Sequence, residues 1–202
     1  MKKAFLVVGA EATGTKLVTE CLLAGGCHGD AGNDQWVKKA LDNAYSFESD
    51  PVVLRLSFPC GLEWPRLDDV LWHLKCRGYS VSVLVTVRDW YACRESQTHQ
   101  DTHAFNLMHS QNKMQRAYRE IFGALAFTGV PFCIVPYESL VARQRQAIGK
   151  LLAWCGLTAG KPLPQVYDAN AKWYDQEDTQ DHAHDAYKMA LIAMGPGGGQ
   201  EG

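Results

Sequence analysis

Four apolar runs rich in β-branched residues alternate with longer stretches of helical period along this chain. The apolar runs read "KAFLVVG", "PVVLRLSF", "SVSVLVTV" and "PFCIVPY", and glycine, proline or polar residues bound each of them. Such runs are typical of strands buried in a sheet. The stretches of helical period lie at about 14–24, 66–77, 89–98, 104–128 and 138–155. The alternation predicts an α/β fold in three layers, with a mainly parallel central sheet of about four to five strands flanked by helices.

Length and charge limit the classes of function. The 202 residues are enough for one domain with a sizeable core, and the formal net charge is −2. A chain with this charge has no broad electrostatic attraction to nucleic acid or to an anionic membrane, so neither is expected as a partner. Any site for an anion must therefore be local.

The cysteines and the apolar segments indicate a cytoplasmic protein. Seven cysteines are an odd number, and they are widely spread without a CxxC pair, which favours free thiols over disulfides or a zinc site. The apolar run "AFLVV" near the start is too short for the core of an export signal. No segment reaches the roughly 18 apolar residues that a membrane span requires.

The stretch "VVGAEATGTKLV", residues 7 to 18, leads from the first predicted strand through a glycine loop into the first predicted helix. Gly9 and Gly14 bound a loop whose free backbone N–H groups would meet the positive end of the helix dipole. Thr13 and Thr15 could add hydroxyl donors, and Lys16 a charge. The loop therefore predicts a phosphate site in a P-loop-like fold. The alternative is a plain strand-to-helix turn, with glycines only for geometry.

The same loop departs from the nucleotide-binding signature G-x-x-x-x-G-K-[ST] at its last two places. Thr15 stands where lysine is expected, and Leu17 follows Lys16. Leucine cannot ligate magnesium, which counts against ordinary ATP or GTP chemistry. It does not count against binding a phosphate without a metal.

The loop resembles the first motif of the sulfotransferases that use 3'-phosphoadenosine 5'-phosphosulfate (PAPS), G-x-x-[RK]-S-G-T-T, which grips the donor's 5'-phosphate. "GAEATGTK" matches this motif at Gly9, Gly14 and Thr15, with Thr13 in the serine place. It departs from the motif at Ala12, where a basic residue is usual, and at Lys16, where a second threonine is usual.

Two further segments carry the resemblance. The family holds the 3'-phosphate with an arginine after a central strand and a serine eight residues later, and "TVRDWYACRES" supplies Arg88 and Ser96 at that spacing. Many members also have K-T-H-x-P at a strand end, against which "LRLSFP" keeps a charge at Arg55 and replaces the histidine base by Ser57. "PYESL" at 136–140 is similar to the family's later strand-to-helix junction in a general way.

The resemblance implies in-line transfer of a sulfuryl group from PAPS to a hydroxyl or amine of a small-molecule or carbohydrate acceptor, with no metal required. The N–H groups of 13–16 and Lys16 would stabilise the leaving 5'-phosphate, and Arg55 would lie near the transferred group. Some members take the base from the acidic segment after the first helix, which here offers His28, Asp30 and Asp34. The oligomeric state is left open.

The domain division follows from the same reasoning. Residues 1–175 are expected to form the sulfotransferase-like α/β domain. Residues 176–202 are polar and then glycine-rich, which predicts a polar C-terminal helix followed by a flexible tail.

Two other functions stay open at this point. A small P-loop kinase acting on a metabolite would use Lys16 for ATP with a shifted geometry. A non-catalytic nucleotide binder with this fold would explain Ala12 and the absence of histidine at position 57.

Overall fold

The structure, a computed structural model, describes residues 2–32, 50–60, 64–100 and 107–173, with the backbone alone for 98–100 and 107–111. Strands and helices alternate along these ranges. In chain order they are β1 (Lys2–Ala10), α1 (Thr15–Ala24), β2 (Val52–Phe58), α2 (Leu67–Cys76), β3 (Tyr79–Val87), α3 (Trp90–Gln100), α4 (Leu107–Thr128), β4 (Phe132–Pro136) and α5 (Tyr137–Trp154), followed by a 3₁₀ turn, Ala171–Trp173.

The four strands form one sheet in the order β2-β1-β3-β4, and every neighbouring pair is parallel. This arrangement confirms the predicted α/β class and the parallel sheet. β1 is an inner strand between β2 and β3, with Gly9 opposite Ser57 on one side and Val8 opposite Val85 on the other. The carboxyl ends of all four strands therefore meet at one edge of the sheet, where the loop between β1 and α1 lies.

Helices cover both faces of the sheet. On one face α2 and α4 bury residues such as Leu71 and Ile121 against Leu6 of β1. On the other face α1 and α5 bury residues such as Leu22 and Leu152 in a second cluster. Because both faces of each inner strand are covered, the strands read as continuous apolar runs rather than as an alternating pattern.

After α5 the chain returns across the α1–α5 face to the carboxyl edge of the sheet. The backbone N–H groups of Gly160 and Lys161 donate to the carbonyl of Ala24, at the end of α1. Val166 is buried in the second cluster, and residues 166–173, here called the C-terminal strap, reach the edge where the strands end. The strap thereby joins the site from a distant part of the chain.

The predicted elements agree with the observed ones within two residues, apart from the predicted start of α4 at 104. That start, and the predicted tail at 176–202, lie outside the described residues. None of the helices described here combines the length and the apolar character needed to cross a membrane.

Candidate functional site

The loop from Glu11 to Gly14 turns the chain from β1 into α1. Its backbone enters the left-handed region twice, at Ala12 (φ 68°) and at Gly14 (φ 91°). Gly14 is the N-cap of α1, no described side chain caps this helix, and its first turn contains no acidic residue. The first N–H groups of a helix have no partner within the helix, and the helix dipole makes this end positive. The loop therefore presents unused donors where an anion would be favoured.

Both loop glycines are required by close contacts. A Cβ at Gly9 would overlap Thr86 Oγ1 and lie 2.5 Å from Thr13 Oγ1. A Cβ at Gly14 would lie 2.9 Å from Cδ2 of Tyr137, at a φ that residues with a side chain rarely adopt. Any larger residue at either position would push the loop away from β3 or from α5.

The side chain of Thr13 stabilises the loop by hydrogen bonds on its buried side. Its side chain is 1 % exposed, its hydroxyl donates to the Ala10 carbonyl at 2.7 Å, and its Oγ1 lies 2.7 Å from Oγ1 of Thr86. Its backbone N–H donates to the same Ala10 carbonyl at 3.3 Å. The sequence predicts this hydroxyl as a donor to the ligand, whereas in the structure it points into the protein. Of the N–H groups of 13–16 that the sequence predicts as donors, those of 14–16 remain for a ligand.

Thr15 and Lys16 occupy the first turn of α1 and differ in exposure. Thr15 is buried, and its Oγ1 lies 3.5 Å from Oγ of Ser57 at the end of β2. The Lys16 side chain is 63 % exposed, and its Nζ lies 4.0 Å from a carboxylate oxygen of Glu20, one turn further along the helix. The ammonium therefore lies in solvent beside the loop, within its own reach of a bound anion.

Arg88 lies directly after β3 and supports the loop from the side of α3. It is 7 % exposed; its Nη1 donates to the Ala12 carbonyl at 2.9 Å, and its Nε donates to Oδ1 of Asn170 at 2.6 Å. Its Nη2 is buried and has no hydrogen-bond partner among the residues that the structure describes. Within the described chain its partners are neutral acceptors. A buried N–H donor without a partner is unfavourable, so Nη2 of this guanidinium is a candidate to donate to an anionic ligand.

Two carboxylates lie next to Arg88 and are held by other partners. Glu138 Oε1 accepts from the backbone N–H of Asp89 at 2.8 Å and from the Asn170 side-chain amide at 3.1 Å. Asp89 Oδ1 accepts from the backbone N–H of Ala92 at 2.9 Å, which caps the start of α3. These contacts fix the ends of β3, α3 and α5 relative to one another.

One face of α3 packs behind the loop. Gln97 Nε2 donates to the Glu11 carbonyl at 2.9 Å, and Cys93 Sγ lies 3.7 Å from the Ala12 carbonyl. Burial raises the pKa of the Cys93 thiol above its usual range, so this group stays protonated and acts at most as a weak donor. Ser96 is half-buried on the same helix, adjacent to Gln97 in sequence. Arg88 thus contacts the loop directly, while Ser96 lies on the helix that supports it.

The structure places the remaining candidates further away. Arg55 is half-buried on β2, where it pairs with Val7. It precedes Ser57 by two residues, so Arg55 lies about 7 Å further from the carboxyl edge than Ser57 does. His28 pairs with Val52 at the amino end of β2, about 20 Å from that edge. Asp30 accepts the Gly32 N–H at 2.7 Å within a turn. His28 is therefore not brought to the loop, and Asp34 lies outside the described residues.

Several residues of this site carry no recognisable signal in the sequence. Thr86 lies within a strand, Asn170 lies in the strap, and Glu138 lies at a junction recognised only in general terms. Contacts across the fold join these residues to the loop. Thr13 and Thr86 are 73 residues apart in the sequence, and Arg88 and Asn170 are 82 residues apart. Among the residues that the structure describes, no group of three or more His, Cys, Asp or Glu side chains is arranged to hold a metal ion.

Comparisons with known proteins add little to this site. No family model matches the chain, and no curated protein matches it. A similar solved structure is that of the tunicamycin resistance protein of Deinococcus radiodurans, which is 15 % identical. The match covers 80 % of this chain and 100 % of that one, with a TM-score of 0.43. A likeness of this size says nothing about what this chain binds.

Proposed function

We propose that the loop between β1 and α1 binds a nucleotide phosphate and that the chain transfers a sulfuryl group from PAPS to an acceptor hydroxyl or amine. The observation that supports this most is the guanidinium of Arg88, which is buried, makes no ion pair with a carboxylate of the described residues and keeps Nη2 unused beside the loop. An uncapped helix N-terminus at the other end of the same loop supplies further donors.

A ligand with two anionic groups suits this arrangement better than a ligand with one. The N–H groups of 14–16 lie at the start of α1, while Arg88 joins the loop at Ala12. We assign the 5'-phosphate to the N–H groups and the 3'-phosphate to Arg88, with Ser96 as its second donor. PAPS and its product, 3',5'-adenosine bisphosphate, both carry phosphates at these two positions.

The proposed transfer moves one sulfuryl group and one proton. The bond between sulfur and the bridging oxygen of the phosphosulfate breaks, and a new bond joins sulfur to the acceptor oxygen or nitrogen. The acceptor's proton passes to a base, and 3',5'-adenosine bisphosphate leaves. The N–H groups of 14–16 and Lys16 would stabilise the negative charge that grows on the leaving phosphate. The base is not assigned to a described residue.

Calorimetric titration of the wild-type chain tests the ligand class. We expect 3',5'-adenosine bisphosphate to bind more tightly than 5'-AMP, because the 5'-phosphate alone leaves Arg88 without its anion. Equal affinities would contradict the assignment of Arg88. Tighter binding of ATP with magnesium would favour the kinase, and no binding of any of the three would overturn the proposal.

Turnover separates the transferase from a binder without catalysis. Ala12 in place of a basic residue and Ser57 in place of histidine are the features that favour the binder. Incubation with sulfur-labelled PAPS and a panel of phenols, amines and sugars should release the bisphosphate and label an acceptor. Tight binding of the bisphosphate with no release from PAPS would leave the binder as the better description.

A further inference from the structure

We infer that Asn170 of the C-terminal strap is a positioning residue that holds the guanidinium of Arg88 ready for an anion without forming an ion pair with it. The inference rests on the proposed nucleotide site and extends it to a segment that no motif of the sequence marks. It gives the strap a role in ligand specificity.

The side chain of Asn170 bridges two groups of opposite hydrogen-bonding character. Its Oδ1 accepts from Arg88 Nε at 2.6 Å, and its Nδ2 donates to Glu138 Oε1 at 3.1 Å. Arg88 can only donate and an ionised Glu138 can only accept, so the orientation of the amide is determined by its two partners. Asn170 is 7 % exposed, and water therefore competes little for either bond.

The strap is anchored on both sides of Asp168 by one hydroxyl. Tyr137 Oη donates to the Tyr167 carbonyl at 2.7 Å and accepts from the Ala169 N–H at 3.0 Å. The backbone N–H of Asn170 donates to Oδ1 of Asp168 at 2.9 Å, which fixes the turn that carries the amide. The amide thus reaches Arg88 from a backbone that is already held in place.

Because the Asn170 side chain is neutral, Arg88 can still pair with an anionic ligand. A carboxylate at position 170 would pair with the guanidinium and cancel the positive potential that attracts a phosphate. It would also place a second negative charge beside Glu138, where Asn170 now donates a hydrogen bond. An amide holds the cation in place without neutralising it, and Nη2 remains the donor that a ligand can use.

Two substitutions of Asn170 test whether it positions Arg88 or only stabilises the fold. The measured quantity is the affinity for each nucleotide. Asn170→Ala removes the acceptor from Arg88, and Asn170→Asp keeps an acceptor but adds a charge. We expect both to weaken 3',5'-adenosine bisphosphate binding about tenfold or more and to change 5'-AMP binding about threefold or less, because only the bisphosphate uses Arg88. Tyr167→Ala, at a strap side chain that is 68 % exposed, is the matched control and should leave both affinities unchanged.

The outcomes distinguish this inference from the function on which it rests. If the wild type binds the bisphosphate more tightly than 5'-AMP and both Asn170 variants keep that ratio, Asn170 does not position Arg88. If one variant fails to fold, the ratio in the other decides. Absence of nucleotide binding by the wild type would overturn the proposed function and this inference together.

Discussion

The guanidinium of Arg88 stacks on the ring of Tyr137, with Cζ 4.6 Å from the ring centroid. The same ring occupies the space that a side chain at Gly14 would need, and its hydroxyl holds the strap at Tyr167 and Ala169. The first residue of α5 therefore joins the loop, the buried cation and the strap. Substitutions at these contacts should separate ligand binding from stability.

Replacing Tyr137 with phenylalanine removes the hydroxyl and keeps the stacked ring. We expect the free energy of unfolding to fall by about 1–2 kcal/mol, because two hydrogen bonds to the strap are lost. Urea denaturation measures this loss, and hydrogen exchange should show faster exchange in 166–173. Tyr167→Phe, at an exposed ring, is the control and should have no measurable effect. Equal loss in both variants would mean that the hydroxyl of Tyr137 does not anchor the strap.

Arg88→Met removes the charge and keeps an apolar stem of similar length. We expect the bisphosphate to lose about 1.5–3 kcal/mol of binding free energy, as for a charge-assisted contact. Arg94→Met is the matched control, because Arg94 lies on α3, stacks on Tyr91 and pairs with Glu95 at 2.8 Å. A loss below a few tenths of a kcal/mol in folded Arg88→Met would assign Arg88 a purely structural role.

Gly14→Ala tests the close contact behind the loop. Alanine at φ 91° carries the strain of the left-handed region, about 1–2 kcal/mol, and here its Cβ would also press on Tyr137. Gly26→Ala is the matched control, since its φ is 95° and no atom of the described residues lies within 4 Å of the added Cβ. Gly14→Ala should destabilise the chain more in urea and should also weaken nucleotide binding. Equal destabilisation with unchanged binding would contradict the geometry of the loop.

Lys16→Met and Glu20→Gln should have opposite effects on affinity. Removing the exposed ammonium should weaken bisphosphate binding by about 0.2–1 kcal/mol, and removing the carboxylate 4.0 Å from it should strengthen binding by a similar amount. Both effects should shrink at high salt. Once an acceptor is known, Lys16→Met should lower turnover more than affinity, because charge grows on the leaving phosphate. Weaker binding in Glu20→Gln would contradict this role for Lys16.

Buried thiols make stability depend on alkaline pH. Burial raises the pKa of the Cys21, Cys27 and Cys155 thiols from 9.0 to about 12. The folded chain holds these protons more tightly than the unfolded chain does. Their contribution to stability is therefore complete below pH 9.0 and is lost as the pH rises from 9.0 towards 12. The urea concentration at the midpoint of unfolding should therefore decrease as the pH is raised from about pH 9 to about pH 11, and a constant midpoint would contradict this.

Alkylation provides an independent check on the same thiols. Cys76 is exposed, whereas Cys21, Cys27 and Cys155 are buried. Iodoacetamide at about pH 8 should label Cys76 in the folded chain and the three buried residues only after urea is added, because the thiolate is the reactive form. Mass spectrometry of the peptides would show the order, and early labelling of Cys21 would contradict it.

The fold could be predicted from the sequence because its signals are local. Continuous apolar runs such as "SVSVLVTV" identify buried strands, and the observed β3 matches that run within one residue. The loop between β1 and α1 is local too, since Gly9 and Gly14 mark it directly. These features depend on residues close to one another along the chain.

The inner contacts of the site could not be predicted in the same way. The sequence shows that Thr13 has a hydroxyl, but its direction is set by Thr86, which is 73 residues away. His28 follows α1 closely in sequence, yet its pairing with Val52 places it at the amino edge of the sheet. Periodicity describes which face of an element is buried and does not identify the partner across the fold.

The inner position of β1 has a consequence for synthesis on the ribosome. β1 precedes both of its neighbours in the chain, so it leaves the ribosome before β2 and β3 exist to pair with it. At about 5–20 residues per second, the 82 residues that separate Arg88 from Asn170 take roughly 4–16 s to add. Until those residues are added, Arg88 lacks its hydrogen bond to Asn170 of the strap. During that interval the second cluster also lacks Val166, so part of its apolar surface stays open to water.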